Sequence, residues 1–155
     1  MTTDEIRAFW QSYLDTLPPD APEHAQSYIA DSFGDSPELA DELIALVLAG
    51  KKTATCSSLW EWESDGDPLP HVGLMTIFTD GAGRPRCIAQ TVEMRVLPMN
   101  HVDAAFAHDE GEGDLSREYW RAEHWRYFSR SLVRIGREPA EDMPLVCERF
   151  RVIYP

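Results

Sequence analysis

The chain is poor in lysine: Lys51 and Lys52 are its only two, side by side, among 14 basic residues that are otherwise arginine. It is short of positive charge altogether, with 14 basic against 27 acidic residues and a net charge of −13. That deficit argues against tight, sequence-independent binding to long nucleic acid, which needs a basic surface to displace counterions. Cysteine is scarce too. Cys56, Cys87 and Cys147 are odd in number and lack Cys-x-x-Cys or zinc-ligand spacing, so neither a disulfide framework nor a metal site is expected, and a reducing cytoplasmic setting is. No apolar run approaches the length of a membrane span, and the first residues are acidic rather than basic and then hydrophobic, so neither membrane insertion nor export is expected. With 155 residues and 43% hydrophobic content, one domain with a sizeable core is the natural reading.

The two lysines lie in the stretch Gly50 to Ser57, and the residues before it fix where it sits. Ser36-Pro37 is a helix start, with a side-chain acceptor at the cap and a proline where its missing donor costs nothing. Leu39, Ala40, Leu43, Leu46 and Val47 give the helix one apolar face, and Gly50 is its left-handed stop. The lysines therefore leave the carbonyl end of a helix, and Thr53 and Thr55 suggest an extended segment beyond. A lysine ammonium sheds its proton when desolvated or set beside another cation, whereas a guanidinium does not. Lys52, three residues before the Thr55 hydroxyl, thus has the makings of a base beside a nucleophile. A solvated pair at a helix end is the plainer alternative.

Elsewhere the pattern is mostly architectural. A first amphipathic helix occupies residues 1–20, with Thr2 and Glu5 at capping-box spacing and Phe9, Trp10 and Tyr13 on a face that either packs internally or forms a dimer contact. Ser27 to Ala30 reads as a short edge strand or packed loop. Trp60 and Trp62 are wall residues or stacking platforms for a flat ring. A strand over Leu74–Thr79, a turn at Asp80–Gly83 and a strand over Arg86–Val96 make a hairpin, with Val92, Met94 and Val96 expected inside and Gln90 interrupting that face. A short helix is expected over Val102–Ala107. The acidic run His108 to Asp114 offers alternating oxygen ligands for a hard cation such as calcium or magnesium, although its spacing does not match a calcium loop; the other readings are a solvated loop that caps the next helix and a carboxylate placed beside a lysine. The longest helix spans Leu115–Ile135, carrying an arginine face (Arg121, Arg126, Arg130, Arg134, Arg137) expected to pair with acids, and His124 in a structural role. Leu145–Tyr154 closes the chain as a strand with Val146, Phe150, Val152 and Tyr154 on one face. Strands interrupted by helices indicate a small mixed barrel of the α+β class.

Ala40-Asp41-Glu42-Leu43 through Leu48-Ala49-Gly50-Lys51-Lys52-Thr53-Ala54-Thr55, then Glu110-Gly111-Glu112-Gly113-Asp114 with Tyr119-Trp120-Arg121 and His124, then Glu148-Arg149-Phe150-Arg151-Val152, resemble the bacterial ASCH-domain proteins, and within them the YhfF-like subgroup. The resemblance runs from Tyr28 to Tyr154, so that residues 21–155 form the ASCH domain behind the helix of residues 1–20. It implies a PUA-like barrel of about six strands, flanked by helices, with a cleft at one mouth. Members are associated with RNA binding, RNA cleavage or deacylation of N4-acetylcytidine. Carried over from the deacylating branch, the catalytic residues are Lys52, Thr55 and Glu110. Lys51, Ser57, Trp60, Tyr28 and Arg121 are the candidate substrate-binding residues, Ser57 standing where the family motif commonly has an arginine that Arg86 or Arg121 would replace. The expected substrate is a small nucleoside, with RNA as the alternative partner and no metal or cofactor. On this reading Lys52, its pKa lowered by Lys51 and burial, takes the Thr55 proton while Glu110 holds the lysine or shuttles the proton to the leaving amine.

Overall fold

A computed structural model describes residues 3–155, so the expected Thr2 cap lies outside the described residues. The architecture is α+β: a single curled sheet with five helices against it. The elements are α1 (Thr3–Leu14), β1 (Tyr28–Ser32), α2 (Pro37–Leu48), β2 (Ala54–Ser58), α3 (Leu59–Asp65), β3 (Met75–Thr79), β4 (Pro85–Pro98), α4 (Ala104–Asp109), α5 (Arg117–Ser131) and β5 (Pro144–Tyr154). The sheet has five strands in the order β1-β3-β4-β5-β2, rather than the six or so implied by the resemblance. Only β1 and β3 run parallel; β3–β4, β4–β5 and β5–β2 are antiparallel.

Helix starts follow local chemistry. Ser36 Oγ accepts from the Leu39 amide at 3.1 Å, Asp103 from Phe106 at 2.8 Å and Ser116 from Tyr119 at 3.1 Å. The cap at Ser116 sets the start of α5 two residues later than the apolar pattern at Leu115 suggests. Gly50 has φ +76°, the left-handed backbone expected after α2. The 80–83 turn is held by the Asp80 carboxylate, which accepts from the Ala82 and Arg84 amides at 2.9 and 3.0 Å.

Packing divides into three apolar clusters. Ile6, Trp10, Tyr13 and Leu14 of α1 pack on Met75, Ile77 and Ile88, so the aromatic face of this helix is spent inside the chain. Leu43, Ile44 and Val47 of α2 meet Phe33, Phe78 and Phe150. Phe106, Trp120, Phe128 and Leu132 of α4, α5 and the turn after it pack on Ala54, Leu145 and Cys147.

Two expected strand faces hold only in part: Val146 and Phe150 of β5 are buried and Met94 of β4 is half-buried, but three valines are not. Val92 and Val96 are 45% and 43% exposed, whereas Thr91 is 4% exposed. The ladder between β4 and β5 shifts between Thr91 and Glu93, and β4 outruns β3 beyond Gln90, so its second half is covered from one side only. Val152 is likewise 39% exposed, opposite a second shift at Ile88–Ala89. Gln90 is a hydrogen-bonded exception, accepting from the Arg151 guanidinium at 2.9 and 3.2 Å.

Candidate functional site

Three segments converge at one mouth of the sheet: the turn after α2, the start of β2, and the loop joining α4 to α5. The turn is fixed first. Its Lys51 and Lys52 amides donate to the Leu46 carbonyl at 3.0 and 3.1 Å, and the Thr53 amide reaches across to Asp109 O at 2.7 Å. Gly111, at φ +74°, then lets the acidic loop lie directly on the lysine backbone: a Cβ there would stand 2.3 Å from the Lys51 carbonyl oxygen and 2.8 Å from the Lys52 nitrogen.

This contact puts Lys52 among carboxylates. Its side chain is 2% exposed, and Nζ donates to Glu112 Oε2 at 2.9 Å and to Glu110 Oε1 and the Glu110 carbonyl at 3.3 Å each. The three N–H bonds of the ammonium are thereby matched by three acceptors, with the Phe33 ring 5.5 Å away as a fourth neighbour. Burial alone lowers a lysine pKa, but Glu110 and Glu112 outweigh it and push Lys52 above its ordinary value. The expectation of a lysine neutralised by Lys51 and burial is therefore corrected. Lys51 is exposed and is not among the groups acting on Lys52, which is held as a cation.

Glu110, 1% exposed, is the hub. Besides Lys52 it takes a short hydrogen bond from Trp120 Nε1 on Oε2, where His124 Nε2 also lies at 3.2 Å. Burial raises its carboxyl, yet His124, Lys52 and Trp120 more than reverse this and hold it at about 2. Burial would lower His124 in turn, and Glu110 raises it on balance. Cys56, on β2, is pushed well above its usual thiol value by burial and by Glu110.

One prediction concerns acid. Since the folded pKa of Glu110 is depressed from 4.5 to about 2, its contribution to stability is complete above pH 4.5 and is lost as pH falls toward 2. Denaturant titrations across that window are expected to show a steep loss in the wild type and a shallower one in Glu110→Gln; equal slopes would sink the assignment.

These groups form one wall of a cavity of about 210 Å³, lined also by Thr55, Cys56, Ser57 and Tyr127. Among the described residues Thr55 makes no side-chain hydrogen bond, so its hydroxyl is free to meet a ligand. Two further cavities, of about 570 and 250 Å³, border it, with Ser57 and Tyr127 lining all three. The rim of the first is acidic, with Glu42, Glu61 and Glu123, and its cation Arg130 is bound to Asp35 at 2.9 Å.

Of the expected site residues, Lys52, Thr55, Glu110 and Ser57 meet at the cavity, and Lys51, Tyr28, Trp60 and Arg121 do not. Tyr28 packs on Trp10, ring centroids 4.8 Å apart, because α1 needs covering there. Trp60 belongs to the apolar cluster under α5, with Arg137 stacked on it at 4.4 Å; its neighbour Trp62 turns to a bordering cavity instead and donates to Ser57 Oγ at 2.8 Å. Arg121 is drawn to Glu141 at 2.6 Å, and Arg86 to Asp80 at 3.5 Å, so neither stands in for an arginine at Ser57. Glu112, His124 and Cys56 were not anticipated as site residues. Of the other arginines on this face, Arg126 pairs with Glu123 and Arg134 with Asp65 as expected, whereas Arg137 lies on the Trp60 ring instead of an acid, so among the described residues this face presents no continuous basic track for a phosphate backbone.

The ASCH domain family model matches residues 29–154. The chain belongs to the ASCH-domain family. The crystal structure of an ASCH domain from Lactobacillus crispatus JV V101 superposes with a TM-score of 0.92 at 33% identity, covering 99% of this chain and 97% of that one. Protein EF3133 from Enterococcus faecalis V583 gives a TM-score of 0.87 at 36% identity over 99% of this chain and 90% of its own. Among proteins with curated descriptions, none matches the sequence. The ASCH match starts after α1, which this chain nevertheless packs onto the same sheet. Among the described residues no helix is long and apolar enough to cross a membrane.

Proposed function

We propose that this ASCH domain hydrolyses the exocyclic amide of an N4-acylated cytosine nucleoside such as N4-acetylcytidine, in the manner of the YhfF-like subgroup's deacylating relatives. What carries the reading is a hydroxyl without a protein partner, Thr55, on the same cavity wall as a buried, fully hydrogen-bonded ammonium, Lys52. The small acidic cavity suits an uncharged ring bearing N–H donors, not a phosphate.

In this mechanism the Thr55 hydroxyl attacks the acyl carbonyl. The substrate oxygen displaces Glu112, the more exposed of the two carboxylates on Lys52, so that the ammonium faces the developing oxyanion. The released Glu112 takes the Thr55 proton, and the His124 imidazolium, held charged by Glu110, protonates the departing amine. Water then attacks the threonyl ester, giving its proton to the now neutral His124 while Glu112 returns its proton to the departing Thr55 oxygen, which releases the carboxylic acid and restores all three groups. Lys52 thus acts as an electrophile, and Glu110 as the group that keeps both cations in place.

The test is incubation with N4-acetylcytidine, following the ultraviolet change to cytidine. Thr55→Ala is expected to lose about 10³-fold or more in kcat, with Thr55→Ser recovering part of it, and His124→Gln about 10²–10⁴-fold. The rate is expected to change little between roughly 50 and 200 mM salt, whereas an RNA-directed activity would fall steeply. No conversion by the wild type removes the assignment, and unchanged turnover in Thr55→Ala removes the nucleophile.

A further inference from the structure

We propose that Cys56, Glu110 and His124 form a binding site for a divalent ion of the zinc class, with its fourth coordination position open to the cavity. One ligand atom from each residue, a sulfur, a carboxylate oxygen and an imidazole nitrogen, lies within 4.8 Å of the other two. The His124 Nε2 to Glu110 Oε2 separation is already 3.2 Å, close to the edge of a tetrahedron whose metal–ligand bonds are about 2.0–2.1 Å long. A thiolate with imidazole and carboxylate selects zinc and its neighbours over magnesium or calcium, and three protein ligands with one open side is the pattern of reactive rather than purely structural sites.

The surroundings are those of a metal site. His124 Nδ1 lies 2.7 Å from the Trp120 carbonyl oxygen and donates its proton there, which leaves Nε2 as the lone-pair nitrogen facing Glu110 and Cys56. Trp120 supports the site twice, since its indole N–H also holds Glu110 Oε2 and its ring stacks on the imidazole at 4.5 Å. Lys52 engages the other oxygen, Oε1. The charges close as well: a doubly charged ion balances the Cys56 thiolate and Glu110, while Lys52 balances Glu112. The ion replaces protons on Cys56 and His124 and changes nothing else in the count.

The site stands independently of the substrate and reaction proposed above. The ion and a proton are alternatives at His124 Nε2, so zinc is expected to inhibit that hydrolysis.

Chelator-treated full-length protein titrated with Co²⁺ is expected to bind one ion and develop a sulfur-to-cobalt charge-transfer band with tetrahedral ligand-field absorption. Cys56→Ser should abolish the charge-transfer band and His124→Ala should weaken binding by more than about 100-fold, while Cys87→Ala and Thr55→Ala keep both. Because a substituted chain can misfold, a second measurement uses the wild type: Zn²⁺ should protect Cys56 from alkylation, mapped by mass spectrometry. Absence of the band, a band that survives Cys56→Ser, or alkylation of Cys56 unchanged by saturating Zn²⁺ overturns the proposal.

Discussion

Lys52→Met is expected to destabilise the fold by about 3–5 kcal/mol, the usual cost of removing one partner from a buried ion pair. The loss comes less from the lysine's own contacts than from what it leaves behind. Glu110, 1% exposed, would keep His124 and Trp120 but lose its lysine, and the Glu112 carboxylate would have lost its cation. Against a total of about 5–15 kcal/mol for a domain, this is a large fraction of the stability. Equilibrium denaturation measures it, and two controls identify its cause. The double variant Lys52→Met/Glu110→Gln should recover much of the loss, because the buried anion is removed with its partner. The single variant's deficit should shrink as pH falls, because protonation of the stranded carboxylate relieves it. A loss under about 1 kcal/mol, typical of a solvated surface pair, would mean that Lys52 is not the buried counter-charge described.

The second large effect is expected at Gly111. Gly50 and Gly111 have nearly the same backbone, φ +76° and +74°, and differ in what a side chain would meet. At Gly50 there is nothing within 4 Å, so Gly50→Ala should cost only the left-handed conformation, about 1–2 kcal/mol. Gly111→Ala adds a methyl against the Lys51 carbonyl, and both segments are pinned by hydrogen bonds, Lys51 and Lys52 to Leu46 and Thr53 to Asp109. The expected excess over Gly50→Ala is about 1–3 kcal/mol, with the larger loss in the proposed deacylation because the loop that carries Glu110 and Glu112 must lift away. Equal costs at the two glycines would show that the close approach contributes nothing.

How much of this was legible in the sequence depends on how local each determinant is. The Ser36-Pro37 start and the Gly50 stop are set by neighbouring residues, and α2 runs between them as expected. The juxtaposition of Lys52 with the acidic run was also foreseeable in outline, since a carboxylate beside a lysine was one reading of that loop. Its second carboxylate was not: Glu110 and Glu112 flank a glycine, and only the tertiary contact at Gly111 turns both toward one ammonium. The same limit applies to Tyr28, Trp60 and Arg121, each chemically fit for a binding site and each recruited by a nearer partner, Trp10, Arg137 and Glu141. His124 is the converse case. Within an arginine-rich helix it reads as structural, yet one turn after Trp120 it reaches Glu110, a direction decided by how α5 lies against β2 and not by spacing alone. In β4 the simple alternation fails, because the ladder with β5 shifts after Thr91, leaving Thr91 buried and Val92 and Val96 exposed.

The burial of one lysine beside the exposure of the other also determines how the protein meets amine-reactive reagents. With only two lysines in the chain, and Lys52 2% exposed within a ring of acceptors, Lys51 is the one lysine side chain such a reagent finds on the folded protein. Acylation of Lys52 then requires the acidic loop to open first, so the ratio of labelling at these neighbouring positions reports how often the site unlatches.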